Sequence, residues 1–269
     1  MKAAEYHSVQ SVSASSLKWF RKSPAHFKAA LDGKLQSEST PAQIRGTMLH
    51  SLVLECRADY VVAPETYDGG KKWNRNATFC KEWESAQTKP VIRQHEADTI
   101  QAAAMAVREN RLAARLLIGG DAEKSFFVKC KRTGLDLKSR MDYWTPRWIV
   151  DLKTTEDASF SKFKRSAASY DYEMQAAFYC YVSKLSGHEI VDFYFIALEL
   201  EPLPMVNVFL IEPDDLEIAT AKLMKELDAV AKCFESNHWP GYCDNAPTML
   251  SVPPWKFESD EPEKLDMEN

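Results

Sequence analysis

The chain has 269 residues, 45% hydrophobic and 27% charged, enough to bury a substantial core and unlike a disordered or low-complexity polypeptide. No apolar run reaches membrane-span length and the opening Met1-Lys2-Ala3-Ala4-Glu5-Tyr6-His7 lacks an apolar signal region, so a cytoplasmic protein is expected. The formal net charge of −5 argues against bulk attraction to a polyanion, yet eleven Lys/Arg face five Asp/Glu between Lys124 and Arg165.

The six cysteines are scattered without a C-x-x-C pair, so a zinc ribbon or disulfide framework is not expected and an iron–sulfur cluster has no spacing in its favour. In chain order, residues 12–31 read as two helical pieces: Ser13 or Ser15 caps the first, and Ser23-Pro24 opens the second. Lys18, Arg21, Lys22 and Lys28 make this segment basic. Gln43 to Glu55 reads as a helix with an apolar stripe of Leu49, Leu52, Val53 and Cys56. His50 lies beside that stripe, and Gly46, one turn earlier, would admit a neighbouring backbone. Taken alone, His50 reads more readily as a core-edge histidine than as a ligand. Residues 57–94 are mixed, with a short strand at Tyr60 to Pro64 and a Gly69-Gly70-Lys71-Lys72 loop. One helix is expected from His95 to Leu117, ended by Gly119-Gly120.

The period then changes to that of strands: Ser125 to Lys131, Leu135 to Trp144 and Trp148 to Thr154, with turns at Thr133-Gly134 and Thr145-Pro146. Glu123 stands at the entrance to the first. Helices follow at Ser159 to Ala168 and Tyr172 to Leu185, then strands at Ile190 to Leu198 and Met205 to Ile211, then an amphipathic helix from Pro213 to Phe234. The pattern predicts one α/β domain over residues 1–254, a central mixed sheet flanked by helices, and a mobile acidic tail over 255–269.

The stretch carrying chemistry is the hairpin Arg140 to Thr155. Strand alternation puts Asp151 and Lys153 on one face and Val150 and Leu152 on the other, and the hairpin return brings Asp142 near the first pair. Two carboxylates and an amine suit phosphodiester hydrolysis with a hard divalent cation: oxygen ligands hold the ion, and the lysine orients water or stabilises charge on the phosphate. The bland alternative is a surface Asp151–Lys153 ion pair. Neither a nucleophile-elbow glycine pattern nor a glycine-rich phosphate loop occurs, which disfavours serine hydrolases and NTPases.

Asp142 followed by Asp151-x-Lys153 resembles the core of the PD-(D/E)xK nuclease superfamily, and the surrounding blocks resemble the C-terminal nuclease domain of RecE (exonuclease VIII). Those blocks are Val12 to Leu17, Gly46 to His50 with Val53-Leu54-Glu55, Ala122 to Ser125, Arg140-Met141-Asp142, Trp148 to Thr155, Gln175 to Tyr179 and Trp239-Pro240. The resemblance implies a restriction-endonuclease-like fold and a Mg²⁺-dependent 5′→3′ exodeoxyribonuclease acting on double-stranded DNA ends, with Mn²⁺ able to substitute. Such an enzyme leaves 3′ overhangs for recombination with a RecT-type annealing protein. The resemblance assigns His50, Asp142 and Asp151 to the metal, Lys153 to catalysis, Glu123 to an accessory acid, and Gln175 and Tyr179 to a Q-x-x-x-Y helix lining the site. It places Ser13 or Ser15 near the DNA 5′ end and suggests a ring-shaped homo-oligomer. Met141 stands where the superfamily name has Pro, and the long N-terminal extension of RecE is absent, implying a stand-alone phage-type version. The alternatives are a structure-specific or Cas4-like endonuclease of the same superfamily, and a non-catalytic DNA-end-binding scaffold.

Overall fold

The computed structural model describes residues 3–35, 40–243 and 247–256. The N-terminal part is helical: α1 (Ala3–Ser8), α2 (Ala14–Lys22), α3 (Pro24–Leu31) and α4 (Pro41–Leu54). Their ends are chemically marked. The Ser13 hydroxyl accepts from the Ser16 N–H, Ser23 caps α3 ahead of Pro24, and Thr40 caps α4 in a capping box with Gln43. Small strands β1 (Val61–Val62), β2 (Thr66–Tyr67) and β3 (Lys71–Lys72) follow, then α5 (Thr78–Ser85) and β4 (Val91–Ile92). The Gly69-Gly70 loop is thus the turn of the β2–β3 hairpin.

The single helix expected from His95 to Leu117 is instead two, α6 (Gln94–Glu109) and α7 (Arg111–Leu116). Asn110 breaks it: its backbone is extended, and its side-chain oxygen accepts from the N–H groups of Leu112 and Ala113, capping a new helix. The stripe foreseen on α4 also shifts. Met48, Leu49 and Val53 are buried, whereas Cys56 falls beyond the helix end and is exposed.

The main sheet has the order β5 (Asp121–Lys129), β6 (Asp136–Trp144), β7 (Trp148–Thr155), β8 (Asp192–Glu199) and β9 (Met205–Leu210). It is mixed, since β7 and β8 run parallel while the other neighbours are antiparallel. The crossover between the parallel strands carries α8 (Phe160–Ser169) and α9 (Tyr172–Leu185), and α10 (Pro213–Ser236) closes the domain before a single 3₁₀ turn at Pro254–Lys256. Val150 and Leu152 pack on one face against Met48, Leu49 and Ile100 of α4 and α6, while Ile149 packs on the other with Ala176 of α9. The sheet therefore sits between two helical layers. Residues 257–269, which include most of the acidic tail, lie outside the described residues. Among the described residues, no helix is long and apolar enough to cross a membrane.

Candidate active site

The β6–β7 hairpin supplies the centre of the site because its ladder opens where the acids stand. Tyr143 pairs with Val150 and Trp144 with Ile149, and no further pair forms. Beyond them the Leu152 N–H donates to Asp142 Oδ2 at 2.8 Å. The Leu152 carbonyl accepts from His50 Nε2 on α4, also at 2.8 Å. One β7 residue thus trades its strand partner for two site residues, and the strands separate into a cleft. Because a carbonyl only accepts, Nε2 carries the imidazole proton, and in the neutral ring the Nδ1 lone pair is left toward Asp142 Oδ2, 3.5 Å away.

On the far side of the cleft, Asp151 is fully buried. Its Oδ1 lies 2.5 Å from Lys153 Nζ, yet no hydrogen-bond donor is aligned with that oxygen. Gln175 on α9 fixes the pair: its Nε2 donates to Asp151 Oδ2 at 2.6 Å, and its Oε1 accepts from Lys153 Nζ at 3.0 Å. This amide has one workable orientation, since the ammonium only donates and the carboxylate only accepts. The same Nε2 reaches the Tyr179 hydroxyl at 3.3 Å, one turn along α9, and the Lys153 ammonium sits 4.7 Å from the Tyr172 ring centroid.

These neighbours set the charges. Burial pushes the Asp142 carboxyl up to about 6; the nearby Asp151 adds to the rise, while His50 and Lys153 oppose it. Burial alone would lower the Lys153 ammonium, but Asp151 and Asp142 outweigh it and hold the group raised and charged. Burial, reinforced by the two aspartates, lifts the Tyr179 phenol well above its ordinary value, so it stays protonated.

Glu123 is not at a strand entrance but within β5, at a kink. Ala122 pairs with Tyr143 and Lys124 with Met141, while Glu123 and Asp142, opposite each other in register, form no ladder pair. Glu123 has a left-handed φ of 53°. Side-chain alternation reverses there: Met141 packs toward α9, whereas Tyr143, two residues on, packs with the α4–α6 layer. The kink brings Glu123 to His50 and Asp142, and one ligand atom from each of the three lies within 4.8 Å of the others. A nitrogen and two carboxylate oxygens at that spacing, with an unaligned buried oxygen on neighbouring Asp151, are donors that suit a divalent cation.

Of the residues singled out from sequence, His50, Glu123 and Asp142 therefore form one cluster, and Asp151, Lys153, Gln175 and Tyr179 a second that adjoins it through the hairpin. The Ser13 hydroxyl is engaged in capping α2 and is 3.0 Å from the Ser15 hydroxyl. Further along α2, Lys18 feels the site: partial desolvation and then the charge of Lys153 lower its ammonium, while Asp171 and Asp151 act in the opposite sense. Gly46 requires no close backbone approach, for a Cβ there would meet only Thr154 Oγ1 at 3.6 Å. The tight glycine is Gly120, where a Cβ would lie 2.4 Å from the Trp144 carbonyl oxygen. Sequence reasoning missed Arg140 as a site residue. Its Nε donates to Glu123 Oε2, and the only sequence signal is its position two residues before Asp142.

The model of the PDDEXK-like domain of unknown function DUF3799 matches residues 13–250. The chain belongs to this family. The matched span contains His50, Glu123, Asp142, Asp151, Lys153, Gln175 and Tyr179. Among solved structures, the chain is similar to a candidate exonuclease from Eubacterium rectale, with a TM-score of 0.64, 15% identity and coverage of 96% of this chain and 97% of that one. It also matches a phage-related exonuclease from Haemophilus somnus at a TM-score of 0.38 and 12% identity, over 84% of this chain and 96% of that one. None of the curated proteins compared matches the sequence.

Proposed function

We propose that this PDDEXK-like protein is a divalent-metal-dependent exodeoxyribonuclease that digests double-stranded DNA from its ends. The observation that carries the reading is the opened hairpin, which sets Asp142 against His50 on one wall and the Gln175-braced Asp151–Lys153 pair on the other. His50, Asp142 and Asp151 would hold the ion, Mg²⁺ or in its place Mn²⁺. When bound, such an ion polarises the phosphate and lowers the pKa of a coordinated water. Lys153, kept charged by two carboxylates, presents a fixed positive group to the phosphate oxygen on which charge develops. Gln175 holds both members of that pair in place, and Tyr179 supports Gln175 from the next turn.

The stretch from Lys124 to Arg165, which carries the hairpin, holds more Lys and Arg than Asp and Glu, which supports a polyanionic substrate despite the acidic total. The motif blocks that resemble RecE favour 5′→3′ digestion, 3′ overhangs, a RecT-type annealing partner, a ring-shaped oligomer and a bacterial or phage-infected cytoplasm. The Eubacterium rectale protein of similar fold, named as a candidate exonuclease, favours end-dependent attack over an endonuclease.

Linear and supercoiled circular duplex, incubated with Mg²⁺ and either wild type or Lys153→Ala, test the reading. The expected result is loss of linear DNA with wild type alone and intact circles throughout. Cleaved circles would replace the exonuclease reading with the endonuclease one, and equal degradation by both proteins would remove Lys153 from catalysis. Duplex labelled at either the 5′ or the 3′ end then reports polarity, with early release of the 5′ label expected.

A further inference from the structure

We infer that Arg140 is a positioning residue for the cation site, acting through Glu123. This inference rests on the cation site proposed above and goes beyond its assigned ligands.

Three observations converge. First, Glu123 adopts a left-handed backbone with φ of 53°, a conformation that glycine, asparagine or aspartate enters readily and glutamate does not. Ladder pairing is interrupted at that residue and at Asp142 opposite, so the kink carries a local cost on both strands. Second, Arg140, paired in register with Ser125 two residues further along β5, turns its Nε to Glu123 Oε2 in an ion pair that is mostly shielded from water. Third, its Nη1 is buried without a hydrogen-bond partner. A guanidinium placed for stability would spend its planar fork on two or more acceptors. Here one nitrogen is sealed off unpaired while another grips a single carboxylate.

Both costs fall at one side chain, and that side chain is the one the kink delivers to His50 Nδ1 and Asp142. With Oε2 held by Arg140, rotation of the Glu123 carboxylate is restrained and its other oxygen is available to a cation. A ligand carboxylate oriented by a donor behind it is a recurrent arrangement of metal sites, and removing the donor typically weakens metal binding about 10–100-fold. Arg140 also offsets the charge of Glu123, which lets that carboxylate stand beside Asp142 before a cation arrives.

The test measures Mn²⁺ affinity, by calorimetry and by the loss of the free-ion electron paramagnetic resonance signal, without DNA. Arg140→Met and Glu123→Gln are each expected to weaken Mn²⁺ binding by about tenfold or more, and the double variant to bind no more weakly than the worse single. That non-additivity is what a purely structural role of Arg140 would not produce. Wild-type affinity in Arg140→Met overturns the inference; tighter binding does so too, since it would mean that Arg140 competes with the cation for Glu123. Should Arg140→Met not fold, Arg140→Gln takes its place with the same expected and overturning results, and unchanged affinity in Glu123→Gln also overturns the inference, because it removes the ligand that Arg140 is said to position. Asp142→Asn separates the two layers of argument. If it binds Mn²⁺ as wild type does, the cation site itself is wrong, whereas lost binding in Asp142→Asn beside unchanged binding in Arg140→Met refutes only the role of Arg140.

Discussion

Replacing Lys153 by Met should convert a protein that is stable without metal into one whose stability depends on it. Asp151 is the most deeply buried acid of the site, with a side chain 1% exposed, and Lys153 is the cation in contact with it. Removing one partner of a buried ion pair leaves an uncompensated charge and costs about 3–5 kcal/mol. Gln175 Nε2 still donates to Asp151 Oδ2, which favours the lower end of that range. At about 2–4 °C per kcal/mol for a chain of this size, Tm in EDTA should fall by about 6–15 °C. Mg²⁺ or Mn²⁺ supplies the missing positive charge and should restore part of the loss, so the variant should gain more Tm from the cation than wild type gains. Catalysis should not return with it, because the cation does not replace the ammonium. Thermal unfolding followed by circular dichroism, with EDTA and with Mg²⁺, tests both. A Tm in EDTA within about 2 °C of wild type would refute the claim that Lys153 compensates a buried charge.

Gln175→Leu keeps the volume of the side chain but removes both bonds that brace the Asp151–Lys153 pair. Turnover on linear duplex should fall by about 10–100-fold with KM little changed, as expected for lost orientation, and a change confined to KM would contradict this role. The raised Asp142 carboxyl gives metal binding a pH dependence: below about 6 a cation must displace a proton, so Mn²⁺ affinity should drop by about tenfold per pH unit there and level off above it. The sign for folding is opposite. The folded state without metal holds that proton between the unfolded value near 3.8 and about 6, so the contribution of Asp142 to stability is lost as pH rises through about 6. Titration of Mn²⁺ between pH 5 and 8 reads the affinity, and a flat profile would exclude Asp142 as the competing group. Gly120→Ala pushes a Cβ against the Trp144 carbonyl and should lower stability by about 1–3 kcal/mol, read from urea denaturation; an unchanged midpoint would mean that the hairpin end yields freely.

Much of this molecule was legible locally. The Arg140–Thr155 hairpin, the Ser13 and Ser23 caps and the Tyr172–Leu185 helix follow from periods of 2 and 3.6 and from side chains that bond their own neighbours, interactions spanning a few residues. The convergence of Asp142 with the Asp151–Lys153 pair belongs to the same class, because a short turn dictates it. Local signals also misled. The apolar pattern from His95 to Leu117 continues through Asn110, but a side-chain cap competes there with the helical backbone and prevails. What only the tertiary structure decided is what each site residue touches. His50 finds the Leu152 carbonyl across 102 positions of chain, and Gln175 meets Asp151 from another layer. Glu123 leaves the β5 ladder in a conformation that glutamate does not favour. The sequence by itself determined the hairpin and its chemical groups, whose placement costs little beyond local geometry. The opened ladder, the left-handed kink and the Arg140 brace hold only because packed helices on both faces of the sheet over-determine them.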